Sequence, residues 1–153
     1  MKFLLVSDNH GRREVLDELI KMYPDQDYYL HAGDSELPPE YLKQYQAVTG
    51  NNDYFYDYPN HLIISENEVR ILLIHGHQYF MMNRLKDLVK LAQELKCQVV
   101  CFGHTHRPFQ KEIDGILALN PGSLRYNRDG SAPSYMLVDF KSIHDYQVEV
   151  KRY

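Results

Sequence analysis

Five times along this chain a short apolar run ends in a glycine-bearing cluster of aspartate, asparagine or histidine. The stretches read "FLLVSDNHG", "YLHAGDSE", "AVTGNND", "ILLIHGHQ" and "VVCFGHTH". A brief continuous apolar run is the pattern of a strand covered on both faces, and glycine marks where it stops. In α/β sheets, ligands bind outside the carboxyl ends of the strands. Five strands that each deliver polar side chains at that end therefore describe one site. The pairs Asp8 and His10, His75 and His77, and His104 and His106 are each two residues apart. In extended chain that spacing points both side chains the same way.

The segments between these runs set the fold class. "GRREVLDELIKMY" carries Val15, Leu16, Leu19, Ile20 and Tyr23 at helical spacing and is stopped by Pro24. "MNRLKDLVKLAQELK" does the same with Leu85, Leu88, Val89, Ala92 and Leu95. "PPEYLKQY" predicts a short helix started by its prolines. "HLIISENEVRILLIHGH" predicts a hairpin turning at Glu66 to Glu68, and the last third reads as strands and turns. Strand and helix alternate over the first two thirds, with neither linker nor long repeat. This predicts one α/β domain over residues 1–153, with a mixed sheet or a pair of packed sheets.

Composition narrows the partners. A net charge of −4 argues against a broad footprint for nucleic acid or anionic membrane. The apolar run at the start stops at Asp8, too early for a signal-peptide core, and no stretch approaches a membrane span. A cytoplasmic protein is expected. Cys97 and Cys101 read as buried free thiols on one face of a strand.

The candidate ligands are Asp8, His10, Asp34, Asn51, His75, His104 and His106. They offer carboxylate, amide oxygen and imidazole, with no thiolate. Seven donors exceed one tetrahedral ion and suit two divalent ions of intermediate hardness: Mn²⁺ first, with Ni²⁺, Fe²⁺ and Zn²⁺ as alternatives. Two such ions acidify a water between them, which suits hydroxide attack on phosphorus.

"DNH", "GD", "GNND", "HGH" and "GHTH" stand here in the order found in the calcineurin-like metallophosphoesterase superfamily, which the chain resembles. With "NPGS" at Asn120–Ser123 and its small size, it is similar to the compact bacterial and archaeal phosphodiesterase branch. The resemblance implies a four-layer αββα sandwich of two mixed sheets flanked by helices, with the metals at the strand carboxyl ends. It implies Asp8, His10, Asp34 and His106 around one ion and Asp34, Asn51, His75 and His104 around the other, bridged by Asp34. It implies hydrolysis of a small phosphodiester, with Asp34, Asn51, Asn52 and His77 as candidate catalytic groups. Asn52 departs from the family pattern, since many members carry histidine there, and an amide has no titrating proton to give.

Two other functions compete. The superfamily includes the retromer scaffold subunit, which has lost site residues, whereas all seven ligand positions are present here. A nuclease on polymeric nucleic acid fits poorly with the acidic balance. A homo-oligomer is compatible with the sequence. Arg107, Arg125 and Arg128 read as solvated ahead of phosphate-binding, His31, His61 and His144 as structural or exposed, and Asn120 and Ser123 as turn residues bracing the site. Tyr54, Tyr56 and Tyr58 read as packing residues, ahead of a substrate rim or a dimer contact.

Overall fold

The computed structural model describes every residue, Met1–Tyr153. Its strands are β1 (Lys2–Val6), β2 (Tyr28–His31), β3 (Tyr45–Ala47), β4 (His61–Glu66), β5 (Val69–Ile74), β6 (Val99–Cys101), β7 (Pro108–Ile113), β8 (Ile116–Pro121), β9 (Ser134–Ser142) and β10 (Asp145–Arg152). Its helices are α1 (Arg13–Met22) and α2 (Arg84–Glu94). The strands form two five-stranded mixed sheets, ordered β10-β9-β1-β2-β3 and β4-β5-β6-β8-β7.

Side-chain alternation builds four layers. In β1, Phe3 and Leu5 enter the core between the sheets, with Leu30, Ile71, Leu73, Val99 and Leu119. Leu4 and Val6 point the other way, onto Val15, Leu16 and Leu19 of α1. In the second sheet Leu72, Ile74, Val100 and Ala118 meet Leu88, Val89 and Ala92 of α2. Each strand with a buried face on both sides thus needs an unbroken apolar run, and each helix needs one stripe. Both helices lack a side-chain N-cap. Their stability therefore rests on that buried stripe, as it does for most short helices.

Strand direction places the site. β1, β2 and β3 run parallel, so Val6, His31 and Ala47 end on one edge of the first sheet. β5, β6 and β8 also run parallel, so Ile74, Cys101 and Pro121 end on one edge of the second. The two edges are joined to each other. Ser123 Oγ donates to Asp8 O at 2.8 Å, and His75 Nδ1 lies 2.6 Å from Ala32 O.

Two local expectations change. "PPEYLKQY" makes only a single 3₁₀ turn, Pro39–Tyr41, because Leu42 and Tyr45 are drawn into the core beside α1. Cys97 and Cys101 do not share a face: β6 begins at Val99, so strand parity does not reach Cys97. Cys101 lies between the sheets and Cys97 beneath α2, and both are free thiols. No helix is long and apolar enough to cross a membrane.

Met136 of β9 is fully buried in the inter-sheet core, paired with Leu5 of β1. Met136→Ala is expected to cost about 2–5 kcal/mol of unfolding free energy, read from a denaturant titration with an unchanged m-value.

Candidate metal centre

Five of the polar residues sit in a backbone conformation that L-residues avoid. Asp8, His10, Asp34, His104 and His106 have φ between 45° and 64°. Such positions cost on the order of 1–3 kcal/mol each and persist where surrounding structure enforces them. Here the enforcement is visible: Asp8 N–H donates to Gly33 O at 3.0 Å, and His10 N–H to Asp34 O at 3.2 Å. The left-handed step turns each side chain out of the strand's pleat and over the sheet edge. Gly50 and Gly103 make room for the result. A Cβ at Gly50 would collide with the Asp34 carboxylate, and one at Gly103 with Ser7 Oγ and Asp8 Oδ2.

The imidazoles are held so that their free nitrogens face one another. His75 Nδ1 lies 2.6 Å from Ala32 O and His106 Nδ1 3.1 Å from Tyr126 O. His10 Nδ1 lies 2.6 Å from a Glu36 carboxylate oxygen. Carbonyls and carboxylates only accept, so each Nδ1 carries the proton and each Nε2 of the neutral ring presents a lone pair. His106 Nε2 then faces Asp8 Oδ1 at 3.0 Å and His10 Nε2 at 3.3 Å. Asp8 Oδ1 is buried and has no hydrogen-bond partner. One proton can bridge two of these three atoms; a cation can take all three. The same geometry recurs where His75 Nε2 faces Asp34 Oδ2 at 3.6 Å and Asn51 Oδ1 at 3.3 Å. Asp8, His10 and His106 form one close ligand cluster, and Asp8, Asp34 and His75 a second. The chemistry of this donor set fits divalent ions of intermediate hardness, and the Nδ1 contacts are the outer hydrogen bonds that orient ligating histidines.

The sequence model of the calcineurin-like phosphoesterase superfamily domain matches residues 1–142. The chain belongs to that superfamily. A relative from Bacillus subtilis, named "Probable metallophosphoesterase YsnB", is 34% identical over 145 residues, covering 93% of this chain and 86% of its own. The crystal structure of a conserved protein of Streptococcus pneumoniae TIGR4, described as a predicted phosphoesterase, superposes with a TM-score of 0.89 at 29% identity, covering 97% of this chain and 87% of that one. Vps29 of Entamoeba histolytica, solved with Zn²⁺, shares the fold with a TM-score of 0.73 at 23% identity, covering 99% and 98%.

Not every expected residue of this phosphoesterase site joins the two close clusters. His104 is half-buried, its ring centroid 5.1 Å from that of His75, and its backbone N–H donates to Asp8 Oδ2 at 3.0 Å. Asn51 is exposed and touches the site only through His75. Asn52 is bound to Asp34: its backbone N–H donates to Oδ1 and its side-chain amide to Oδ2, each at 2.8 Å. His77 stands beside His75 and His104, with ring centroids 5.4 and 6.4 Å away. Its Nδ1 is buried without a partner. Asn120 and Ser123 brace the site as expected. Asn120 Nδ2 donates to Gly103 O at 2.8 Å, and Ser123 Oγ holds the Asp8 carbonyl. Tyr54 does not pack: it is 74% exposed beside Phe55 at 79%.

The residue whose role sequence reasoning passed over is Asp53. Fully buried, its carboxylate accepts the backbone N–H groups of Asp34, Ser35, Glu36 and Gly50, and the Ser35 hydroxyl. It ties the loop after β2 to the loop after β3. The signal available was its position inside "GNND", where it reads as one more turn residue. His31 is a second case. Its Nε2 donates to Asn9 Oδ1 at 2.8 Å while Nδ1 accepts from the Gly33 N–H at 3.1 Å, a neutral ring bracing two ligand loops.

Electrostatics follow from burial and from these contacts. Burial alone would raise Asp34, but the neighbouring His75 imidazole and the hydrogen bonds from Asn52 hold it well below the usual carboxylate range. Burial would likewise raise Asp8, and His106 and His75 outweigh it and lower it. Burial would lower His75, but Asp34 and Asp8 raise it. His104 is pushed down to about 4 by burial and then by His75. Burial and the charge of His75 also lower His77.

Three outcomes follow. Asp34 and Asp8 raise His75 above its ordinary value, and a metal must compete with any proton bound there, so divalent-ion affinity should rise as pH rises above about 6.5, with net proton release. Calorimetry in buffers of different ionisation enthalpy measures it. Gly103→Ala should weaken ion binding by a factor of 10 or more, read by equilibrium dialysis, because its Cβ displaces Asp8. His31 is pushed down to about 4 by burial, whereas the unfolded chain takes up its proton near pH 6.5. The stability it contributes is present above pH 6.5 and is lost as pH falls toward 4, by at most about 1.4 kcal/mol per unit. In metal-free protein, His31→Gln should flatten that limb of the melting-temperature profile.

Proposed function

We propose that this chain is a dinuclear metal-dependent phosphodiesterase acting on small phosphodiesters, with Mn²⁺ the favoured metal among Mn²⁺, Ni²⁺, Fe²⁺ and Zn²⁺. The observation that carries the reading is the buried Asp8 oxygen without a donor, facing imidazole lone pairs that no proton of the chain can satisfy together. Asp8, His10, Asp34 and His106 would hold one ion and Asp34, Asn51, His75 and His104 the other, with Asp34 shared. When bound, two such ions supply Lewis acidity toward phosphoryl oxygens and lower the pKa of a coordinated water.

The chain's own residues do the rest. Asn52 fixes both oxygens of Asp34 and so sets the orientation of the shared carboxylate. His77 offers a ring at the edge of the second cluster for hydrogen-bonding an ester oxygen. Because burial lowers His77, little of it is protonated at neutral pH, and it makes a poor general acid. Asn52 cannot protonate a leaving oxygen at all. A positioned acid typically contributes 10²–10⁴-fold. Without one, the rate depends on the stability of the departing oxyanion.

Vps29 has this fold and holds Zn²⁺ in its structure, so fold and metal leave the choice between catalyst and scaffold to a turnover measurement. The test is a panel of phosphomonoesters, aryl and alkyl phosphodiesters, cyclic nucleotides and oligonucleotides, with Mn²⁺, Ni²⁺, Zn²⁺ and Mg²⁺. Aryl diesters should turn over fastest, and log kcat/KM should fall steeply with leaving-group pKa. The slope should flatten in Asn52→His. A flat native slope that steepens only in His77→Ala would identify His77 as the acid. No turnover with any metal would support the scaffold.

A further inference from the structure

Beside the metal centre lies a cavity of about 670 Å³, within the range that holds small organic ligands. Arg84, Arg107 and Arg128 line it above apolar surface from Leu85, Phe102 and Phe109. The cavity adjoins the phosphoesterase site through three connections. Arg107 directly follows His106 in the chain. The Arg128 N–H donates to His106 O at 2.8 Å. Arg84 Nε donates to Gly76 O at 2.9 Å, on the loop between His75 and His77.

The three guanidiniums are not neutralised within the chain. Every ion pair of the protein lies elsewhere. Arg84 donates only to the carbonyls of Gly76 and Tyr79. Asp129, the carboxylate in the cavity wall, has its Oδ1 taken by the N–H and hydroxyl of Ser131. Burial and then the charge of Arg128 push Arg84 below its ordinary value, so the like charges act on each other. α2 also begins here, at Arg84, with no side-chain cap on its first amides, and the positive end of its dipole adds to the field. Like charges gathered around a concave, partly aromatic surface fit an anion on a planar apolar group. Guanidinium forks match phosphate geometry and stack on aromatic rings.

We infer that this cavity receives the organic portion of the substrate and selects nucleotide-type esters that carry a second phosphate. The planar base would lie along Phe102 and Phe109 and the second phosphate among Arg84, Arg107 and Arg128, while the scissile ester lies at the metal centre. This rests on the phosphodiesterase reading above, and it places specificity in side chains outside the metal-ligand set.

The test uses two esters with the same leaving group: thymidine 5′-(p-nitrophenyl phosphate), with and without a 3′-phosphate. With metal-loaded protein, kcat/KM should favour the 3′-phosphorylated ester by at least about tenfold. That ratio should fall to near one in Arg107→Gln/Arg128→Gln, whose positions are exposed, and should persist in Lys90→Gln, which removes one positive charge from the exposed face of α2. A parallel titration needs no turnover: thymidine 3′,5′-bisphosphate should bind at least about tenfold more tightly than thymidine 5′-monophosphate, and the double variant should lose the difference. A native ratio near one in both assays overturns the inference, as does a ratio lost equally in Lys90→Gln. A binding preference without hydrolysis of either ester upholds the cavity assignment and overturns the phosphodiesterase reading. Hydrolysis of both esters with no preference does the reverse.

Discussion

The structure depends on one electrostatic constraint: a carboxylate oxygen of Asp8, buried and without a donor, set against the lone pairs of His106 and His10. Left alone, that arrangement costs free energy, because an unpaired buried polar atom loses its water. The surrounding structure is built to maintain it. The Nδ1 atoms are occupied by Ala32 O, Tyr126 O and Glu36, which fixes which nitrogen looks inward. Two sheets bring their carboxyl ends to one line, and Ser123 pins the Asp8 carbonyl there. A divalent cation is the group that satisfies all of these atoms together, and its binding free energy adds to that of the fold.

The backbone carries the cost of that arrangement. Asp8, His10, Asp34, His104 and His106 all take left-handed conformations, which an ordinary strand–loop junction would give to glycine. Glycine is instead placed beside them, at Gly33, Gly50 and Gly103, where a side chain would strike a ligand or its support. Asp53 completes the frame by collecting the amides that the turns leave unpaired. This division of labour explains why so short a chain can hold a site made from five separate segments.

Much of this was legible in the sequence, for physical reasons. Parallel strands buried on both faces must be continuously apolar, so "KFLLV" and "ILLI" announced themselves, and their polar ends gave the ligand set. Periodicity gave α1 and α2 to within about two residues. What was not legible depended on tertiary surroundings. The 3₁₀ turn at Pro39–Tyr41 replaced a helix because Leu42 is drawn inward. The hold of Asn52 on Asp34 and the reach of Asp53 span from 17 to 19 residues of sequence. Arg107 and Arg128 read as solvated because nothing local shows that β7, α2 and the loop after β8 meet around one cavity. Tyr54 reads as packing, whereas the loop after β3 leaves its ring in solvent beside that of Phe55.

In the proposed dinuclear site these donors hold two ions with Asp34 shared between them. Elemental analysis of protein saturated with Mn²⁺ and freed of excess, done for the native chain, Asp34→Ala and His106→Ala, tests it most directly. Two ions are expected per native chain, with loss of both from Asp34→Ala and loss of mainly one from His106→Ala. At most one ion per native chain, or two retained in Asp34→Ala, would contradict it.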